Sequence, residues 1–163
     1  MRKELIALRH AMEQSGVDVY VIPTDDFHGS EYVGDYFRCR AYVSGFTGSA
    51  GTLVVAKDWA GLWTDGRYFL QGAQQLSGSG IDLCKMGQPG VPTVEQWLEA
   101  HLEPGQTLGF DGRTMTLGTG KGLSAAAEKK GAAVDCSHDL VGEIWDHRPA
   151  LSTAPAWELD VAY

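Results

Sequence analysis

The residues best suited to chemistry lie in one short segment, residues 63–69 (WTDGRYF). Asp65 and Gly66 form a tight-turn signal, which places Arg67 at the start of a helical pattern among aromatic residues. An arginine there can make a bidentate contact with a carboxylate, including the terminal carboxylate of a peptide. Arg67 could equally pair with Asp65 or stack on Tyr68, and spacing alone leaves the three roles open.

Two glycine-rich segments do not match the nucleotide or nucleophile motifs that they resemble. Residues 45–51 (GFTGSAG) lack the G-x-G start of the dinucleotide fingerprint, and Thr47 stands where the G-x-S-x-G elbow needs glycine. Residues 118–122 (GTGKG) fail as a P-loop, because Met115 and Gly122 replace its first glycine and its Ser/Thr. We predict a glycine-shaped loop for the first segment and no phosphate site in the second.

The histidines and acidic residues show no metal-binding spacing. Residues 135–139 (DCSHD) follow a predicted strand and precede a predicted helix, which favours a helix-capping turn. Asp25 and Asp26 are adjacent and therefore diverge, so a solvated turn is favoured over an acid/base pair. His28 and Glu31 lie on a polar loop and are interpreted as a surface hydrogen-bonding pair. No metal ligand is expected within this chain.

Length and charge limit the classes of function. The 163 residues fit one domain that can bury ~70% of its unfolded surface without a disulfide or a metal. The net charge of −8 repels phosphate backbones, so nucleic-acid binding is not expected. The sequence contains no run of eighteen apolar residues, which is the length needed to cross a membrane, so no membrane association is expected.

Cysteine usage and the first residues favour a cytoplasmic protein. The cysteines number 3, are widely spaced and form no disulfide framework, which suits a reducing compartment. Residues 1–5 (MRKEL) lack an apolar signal core and lead directly into an amphipathic pattern.

The periodicity predicts an α/β domain in which helices cover a mixed sheet of six strands. The strands are predicted at residues 17–23, 52–56, 61–64, 81–86, 107–110 and 132–135. Five helices are predicted at residues 5–15, 67–77, 94–102, 123–130 and 140–145, with a short extra helix around 31–37. Residues 93–96 (TVEQ) have the capping-box spacing at the start of one of these helices.

The end of the chain has a different character. Residues 148–155 (RPALSTAP) read as a linker, and residues 157–163 (WELDVAY) alternate like a strand. A strand without a partner cannot satisfy its ladder hydrogen bonds. We therefore expect one domain at residues 1–148, followed at 149–163 by a linker and the first strand of a truncated second domain.

Four segments resemble the three-domain Xaa-Pro aminopeptidases (aminopeptidase P). Residues 23–32 (PTDDFHGSEY) are similar to the loop after their first strand, and residues 40–52 match R-x-[FY]-[VIL]-S-G-F-x-G-S-A-G-T. Residues 63–69 match W-T-D-G-R-Y-[FL], and residues 144–149 (IWDHRP) resemble I-W-x-x-R-P. The segments occur in order over nearly the whole chain. One departure is the R-C-R order of residues 38–40, which leaves open whether Arg38 or Arg40 matters.

This resemblance implies a creatinase/prolidase-type amino-terminal domain with a six-stranded mixed sheet and flanking helices. A similar second domain and a catalytic domain would follow, the latter binding two divalent metals, usually manganese. The metal-bridging hydroxide would attack the peptide bond ahead of proline. The chain alone would then be non-catalytic and without cofactor, while the parent protein would be a metalloaminopeptidase.

The resemblance also implies a small set of functional roles. Arg67 is the expected substrate contact, and Asp65 and Tyr68 are its expected supports. Amino-terminal domains of this family contribute to oligomers and narrow the approach to the catalytic pocket. The expected partners are therefore short peptides with proline in second position, the downstream domains and further copies in a homo-oligomer.

Two alternatives remain. One is a peptide-binding module without peptidase activity, like the creatinase-like region of the histone chaperone FACT. The other is the amino-terminal domain of a creatinase or prolidase, which the long loop at residues 24–51 disfavours.

Overall fold

The computed structural model describes residues 1–162 and has a six-stranded mixed sheet, as predicted. The strands are β1 (Val19–Ile22), β2 (Thr52–Ala56), β3 (Ala60–Thr64), β4 (Asp82–Lys85), β5 (Thr107–Phe110) and β6 (Ala133–Asp135). Their spatial order is β4-β3-β2-β1-β5-β6. Only β2 runs against its neighbours, so the other strands end at the same edge of the sheet.

Six α-helices accompany the sheet. They are α1 (Lys3–Ser15), α2 (Cys39–Ser44), α3 (Phe69–Gln75), α4 (Val94–His101), α5 (Leu117–Lys129) and α6 (Leu140–Ile144). Helices α1, α2 and α6 contact one another, and α4 contacts α5. Thr93 and Gln96 form the predicted capping box at the start of α4.

Alternation along β1 explains why helices cover both faces of the sheet. Every residue of β1 is buried, but Tyr20 and Ile22 join the core under α1 and α6, whereas Val19 and Val21 join the core under α4 and α5. A strand that is apolar on both faces must be covered on both. The sequence VYVI therefore fixes β1 at the centre of a three-layer sandwich.

The helix predictions were incomplete in two places. The short helix predicted around residues 31–37 forms only a 3₁₀ turn at Asp35–Phe37, and the unpredicted α2 follows it. Helix α5 begins six residues earlier than predicted, at Leu117, because Thr116 caps it by accepting a hydrogen bond from the Thr119 amide. The first turn of α5 was not predicted because residues 118–122 include three glycines, and glycine disfavours helix interiors.

The strand predicted at residues 157–163 is not formed in the described residues. Residues 149–160 have no regular structure and are exposed, and Tyr163 lies outside the described part of the chain. No neighbouring strand is paired with this segment to accept its backbone hydrogen bonds. The division into two domains remains a prediction.

Tyr20 connects the sheet to the start of α6. Its hydroxyl donates to the carbonyl of His138 at 2.7 Å and accepts from the amide of Leu140 at 3.2 Å. Burial raises the pKa of this phenol well above its ordinary value. The hydroxyl is therefore a neutral link that satisfies two backbone groups at once.

We expect Tyr20→Phe to lower the free energy of unfolding by about 1–2 kcal/mol, because it leaves a buried amide and a carbonyl unpaired. Urea denaturation followed by circular dichroism measures the loss. Tyr32→Phe is the matched control, since Tyr32 is 78% exposed and should show no change. Equal stability of the two variants would contradict the proposed link.

Candidate functional site

The candidate site lies at the edge of the sheet where the parallel strands end. Asp65 follows β3 and Asp111 follows β5, and each begins a 3₁₀ turn, Gly66–Tyr68 and Gly112–Thr114. Crevices at the carboxyl ends of strands are the usual ligand sites of open α/β sheets. The predicted site residues therefore occupy the edge where binding is expected.

Asp65 holds Arg67 in a fixed orientation. Its Oδ1 accepts from the backbone amide and the Nε of Arg67, both at 3.0 Å, and its Oδ2 accepts from Nη2 at 2.8 Å. The guanidinium also lies over the Tyr68 ring, 5.2 Å from its centroid. Hydrogen bonds from Arg67 hold the pKa of Asp65 below its usual range. Both structural roles considered for Arg67 are thus formed.

Arg67 nevertheless remains open to a ligand. Its side chain is 65% exposed, and the two bonds to Asp65 use two of its five N–H groups. The remaining donors lie at the surface and can bind a second acceptor. A substrate contact by Arg67 is compatible with this geometry and stays a prediction.

Tyr68 joins the Arg67 turn to the glycine-rich loop at residues 45–51. Its hydroxyl lies 2.7 Å from the Ser49 hydroxyl, and its ring packs edge-on against Phe46 at 5.8 Å. The hydrogen bond with Ser49 lowers the pKa of Tyr68. Tyr68 therefore connects Arg67, which lies over its ring, to the glycine-rich loop.

The glycine-rich loop is packed against this turn. A Cβ on Gly48 would clash with the Phe46 ring and lie 2.8 Å from Cδ1 of Tyr68, so only glycine fits there. The Thr47 amide donates to Oε1 of Gln75 at 2.9 Å, which ties the loop to α3. The glycine-rich loop is therefore held in a fixed position next to the turn that carries Arg67.

The structure separates the two arginines that the sequence left open. Arg38 is exposed and pairs with Asp35 at 3.0 Å. Arg40 is only 4% exposed, and its guanidinium donates to the Thr24 hydroxyl at 2.6 Å and to the carbonyls of Phe46 and Gly48. Arg40 therefore positions the glycine-rich loop from beneath.

A cavity of about 200 Å³ opens above Arg40. Its lining includes Thr24, Glu31, Tyr32, Arg38, Arg40 and Ser49. The lining residue Ser49 hydrogen-bonds with the Tyr68 hydroxyl, so the cavity adjoins the turn that carries Arg67. Cavity and Arg67 together form the candidate site.

A second Asp-Gly-Arg turn repeats the geometry of the first, and sequence reasoning missed it. Oδ1 of Asp111 accepts from the amide and Nε of Arg113 at 3.0 and 2.9 Å, and Oδ2 accepts from Nη2 at 2.8 Å. The repeated D-G-R tripeptide after a strand was the available signal. Arg113 differs because Asp139 also accepts from it, at 2.8 Å.

Arg113 and Arg148 both contact the loop between β1 and α2. Arg148 also donates to Asp139 and lies 3.8 Å from the centroid of the Tyr36 ring, while Arg113 lies 5.7 Å from that of Phe27. These rings belong to the loop between β1 and α2, whose other residues line the cavity. We call Arg113, Asp139 and Arg148 the Asp139 cluster.

The remaining candidates have structural roles. Asp139 caps α6 by accepting from the Gly142 amide at 2.8 Å, which confirms the predicted capping turn. Asp26 accepts from the amides of His28 and Ser30 in a local turn. Across residues 1–162, no three His, Cys, Asp or Glu side chains are grouped as a metal site, and no helix is long and apolar enough to span a membrane.

Comparisons with known proteins agree with this architecture. The model of the creatinase/prolidase N-terminal domain matches residues 5–144. The chain is 44% identical over 152 residues to aminopeptidase P2 of Arabidopsis thaliana, covering 90% of this chain and 21% of that protein.

Solved structures show the same fold. X-prolyl aminopeptidase of Caenorhabditis elegans, described as a cytosolic enzyme with a di-nuclear active site, superposes with a TM-score of 0.88 at 36% identity. That match covers 98% of this chain and 28% of the nematode chain. The N-terminal domain of the peptidase PepQ from Mycobacterium tuberculosis superposes with a TM-score of 0.61 at 26% identity, covering 88% of this chain and 99% of that one.

The chain thus spans about a quarter of the length of the full-length relatives. Its match to the family model, in contrast, extends over most of its own residues. The chain belongs to the creatinase/prolidase N-terminal domain family.

Proposed function

We propose that this chain is the amino-terminal, non-catalytic domain of an Xaa-Pro aminopeptidase, which removes an amino-terminal residue that precedes proline. The observation that carries the proposal is the close superposition on the nematode X-prolyl aminopeptidase over 98% of the chain. The 44% identity to aminopeptidase P2 of Arabidopsis thaliana also favours the aminopeptidase branch. The chemistry would belong to a downstream catalytic domain with two divalent metals, which we expect to be manganese.

Within that enzyme, this domain would help to bind the substrate and restrict its access. Arg67 is the expected contact, because Asp65 and Tyr68 orient its guanidinium while leaving donors free. Short peptides with proline in second position are the expected ligands. We expect the enzyme to be cytoplasmic, like its nematode relative, and to assemble as a homo-oligomer.

The final residues support a connection to a second domain. Trp157, Leu159 and Val161 alternate along the chain, and their side chains are exposed. Exposed apolar side chains at every second position are typical of a strand that packs on another element. We propose that residues 149–163 are the linker and first strand of that domain.

We expect this chain alone to hydrolyse no Xaa-Pro peptide in a manganese-supplemented assay, while the full-length protein releases the first residue. The reason is that the described residues offer no cluster that could hold a metal. Product release by the isolated chain would contradict the assignment as a non-catalytic domain. Inactivity of both proteins would instead favour a peptide-binding module without peptidase activity.

A further inference from the structure

Arg40 is a buried cation without an acidic partner. Its residue is 4% exposed, and no Asp or Glu within residues 1–162 forms an ion pair with it. The similarly buried Arg148, whose side chain is 9% exposed, pairs with Asp139. Removal from water lowers the pKa of Arg40 to about 10. Buried charges are normally compensated, so Arg40 is an exception that requires an explanation.

The guanidinium carbon of Arg40 lies 4.9 Å from the centroid of the Phe46 ring, a cation–π contact that compensates the charge only in part, and its hydrogen bonds do not require a charge. Its three hydrogen bonds go to neutral groups, the Thr24 hydroxyl and the carbonyls of Phe46 and Gly48. A neutral side-chain donor could bond to such groups without the cost of burying a charge. Two of the five guanidinium N–H groups, one on each terminal nitrogen, are left over.

The cavity next to Arg40 offers room for the anion that its charge lacks. Arg40 lines the 200 Å³ cavity beside Arg67, together with the hydroxyl-bearing Thr24 and Ser49. A carboxylate that entered there could accept the two remaining N–H groups and neutralise the buried charge. The acid already on the cavity lining, Glu31, is exposed and forms no ion pair within the described residues.

We propose that the cavity above Arg40 is a carboxylate-binding site. The carboxylate can come from a free peptide, in which case the inference rests on the proposed function, or from an acidic side chain elsewhere in the full-length protein. Both sources present the same group to the same guanidinium. Arg40 then has two roles, holding the glycine-rich loop and binding the anion.

Sodium acetate is the probe, compared with sodium chloride at equal ionic strength in the isolated chain. We expect acetate to raise the melting temperature saturably and to shift the NMR resonance of the Arg40 Nε–H group, because a ligand that binds only the folded state stabilises it. Glu31→Gln should tighten acetate binding roughly two- to fivefold by removing a like charge. Arg40→Lys should weaken it by about tenfold by removing the paired donors.

Glu31→Gln keeps the test valid even if Arg40→Lys fails to fold, because Glu31 lies on the surface. Identical responses to acetate and chloride in both the wild type and Glu31→Gln would overturn the proposal. The readout is binding to the isolated chain, so it stands apart from whether the full-length protein is a peptidase.

The same acetate titration in the full-length protein identifies the source of the carboxylate. If acetate still shifts the Arg40 resonance there, and acetyl-Gly-Pro competes while its amide does not, the site takes an external peptide carboxylate. If the resonance is already at its shifted position and ignores acetate, an acidic side chain of the protein occupies the site. Either result supports a carboxylate site, whereas an unshifted resonance that ignores every carboxylate in both proteins contradicts it.

Discussion

Arg67→Ala in the full-length protein is expected to lower kcat/KM for a short Xaa-Pro peptide by roughly 10- to 100-fold, with no change in Tm. The fold-change is that of losing a charge-assisted hydrogen bond to the substrate. Stability should be unaffected, because the Arg67 side chain is 65% exposed and its pair with Asp65 is screened by solvent. Steady-state kinetics and thermal unfolding of the same preparations measure both quantities.

Lys129→Ala is a matched control for this variant. The Lys129 side chain is 64% exposed and, like Arg67, forms a surface ion pair, but it lies on α5 away from the carboxyl edge of β3. We expect its kinetics and its Tm to equal those of the wild type. Unchanged kinetics with a lowered Tm for Arg67→Ala would show that Arg67 acts only as a structural partner of Asp65 and Tyr68.

Local sequence was sufficient to predict most of the fold. Capping boxes, strand alternation and turn dipeptides involve residues within about four positions of one another, so their patterns are visible in a linear sequence. Thr93 and Gln96 illustrate this, since the reciprocal bonds expected from their spacing are formed. The W-T-D-G-R segment was likewise recognised as a turn, and its Asp65–Arg67 pair spans two residues.

The cavity could not be predicted because its contacts join distant segments. Arg40 reaches Thr24, which is 16 residues away across the sheet edge, and also the carbonyls of Phe46 and Gly48 in the loop after its own helix. Burial distinguishes Arg40 from Arg38, and burial depends on the packed sheet. Helix α2 escaped prediction for a related reason, since six residues are too few to show a helical period and tertiary packing must stabilise them.

The Asp139 cluster also joins residues that are distant in the sequence. Arg113 lies 26 residues before Asp139, and Arg148 lies nine residues after it. Asp139 is therefore the shared anion of two arginines from different segments. The side chain of Asp139 is 19% exposed and that of Arg148 is 9% exposed, so this pair is largely buried, whereas Arg113 is 51% exposed.

We expect Asp139→Asn to lower the free energy of unfolding by about 3 kcal/mol, because it leaves the buried Arg148 without an anion. Asparagine preserves the cap of α6, since it also accepts well at that position. The loss therefore reports the charge rather than the cap. For a domain of this size it corresponds to a fall in Tm of roughly 6–12 °C, measurable by calorimetry.

A second substitution tests whether the uncompensated charge is the cause. Combining Asp139→Asn with Arg148→Met removes the buried cation together with its partner, and we expect most of the lost stability to return. Glu99→Ala, which breaks the exposed pair with Lys129, should cost almost nothing. If the double variant were no more stable than Asp139→Asn alone, the shape of the network and its contacts with Tyr36, rather than its charge balance, would hold the loop over the cavity.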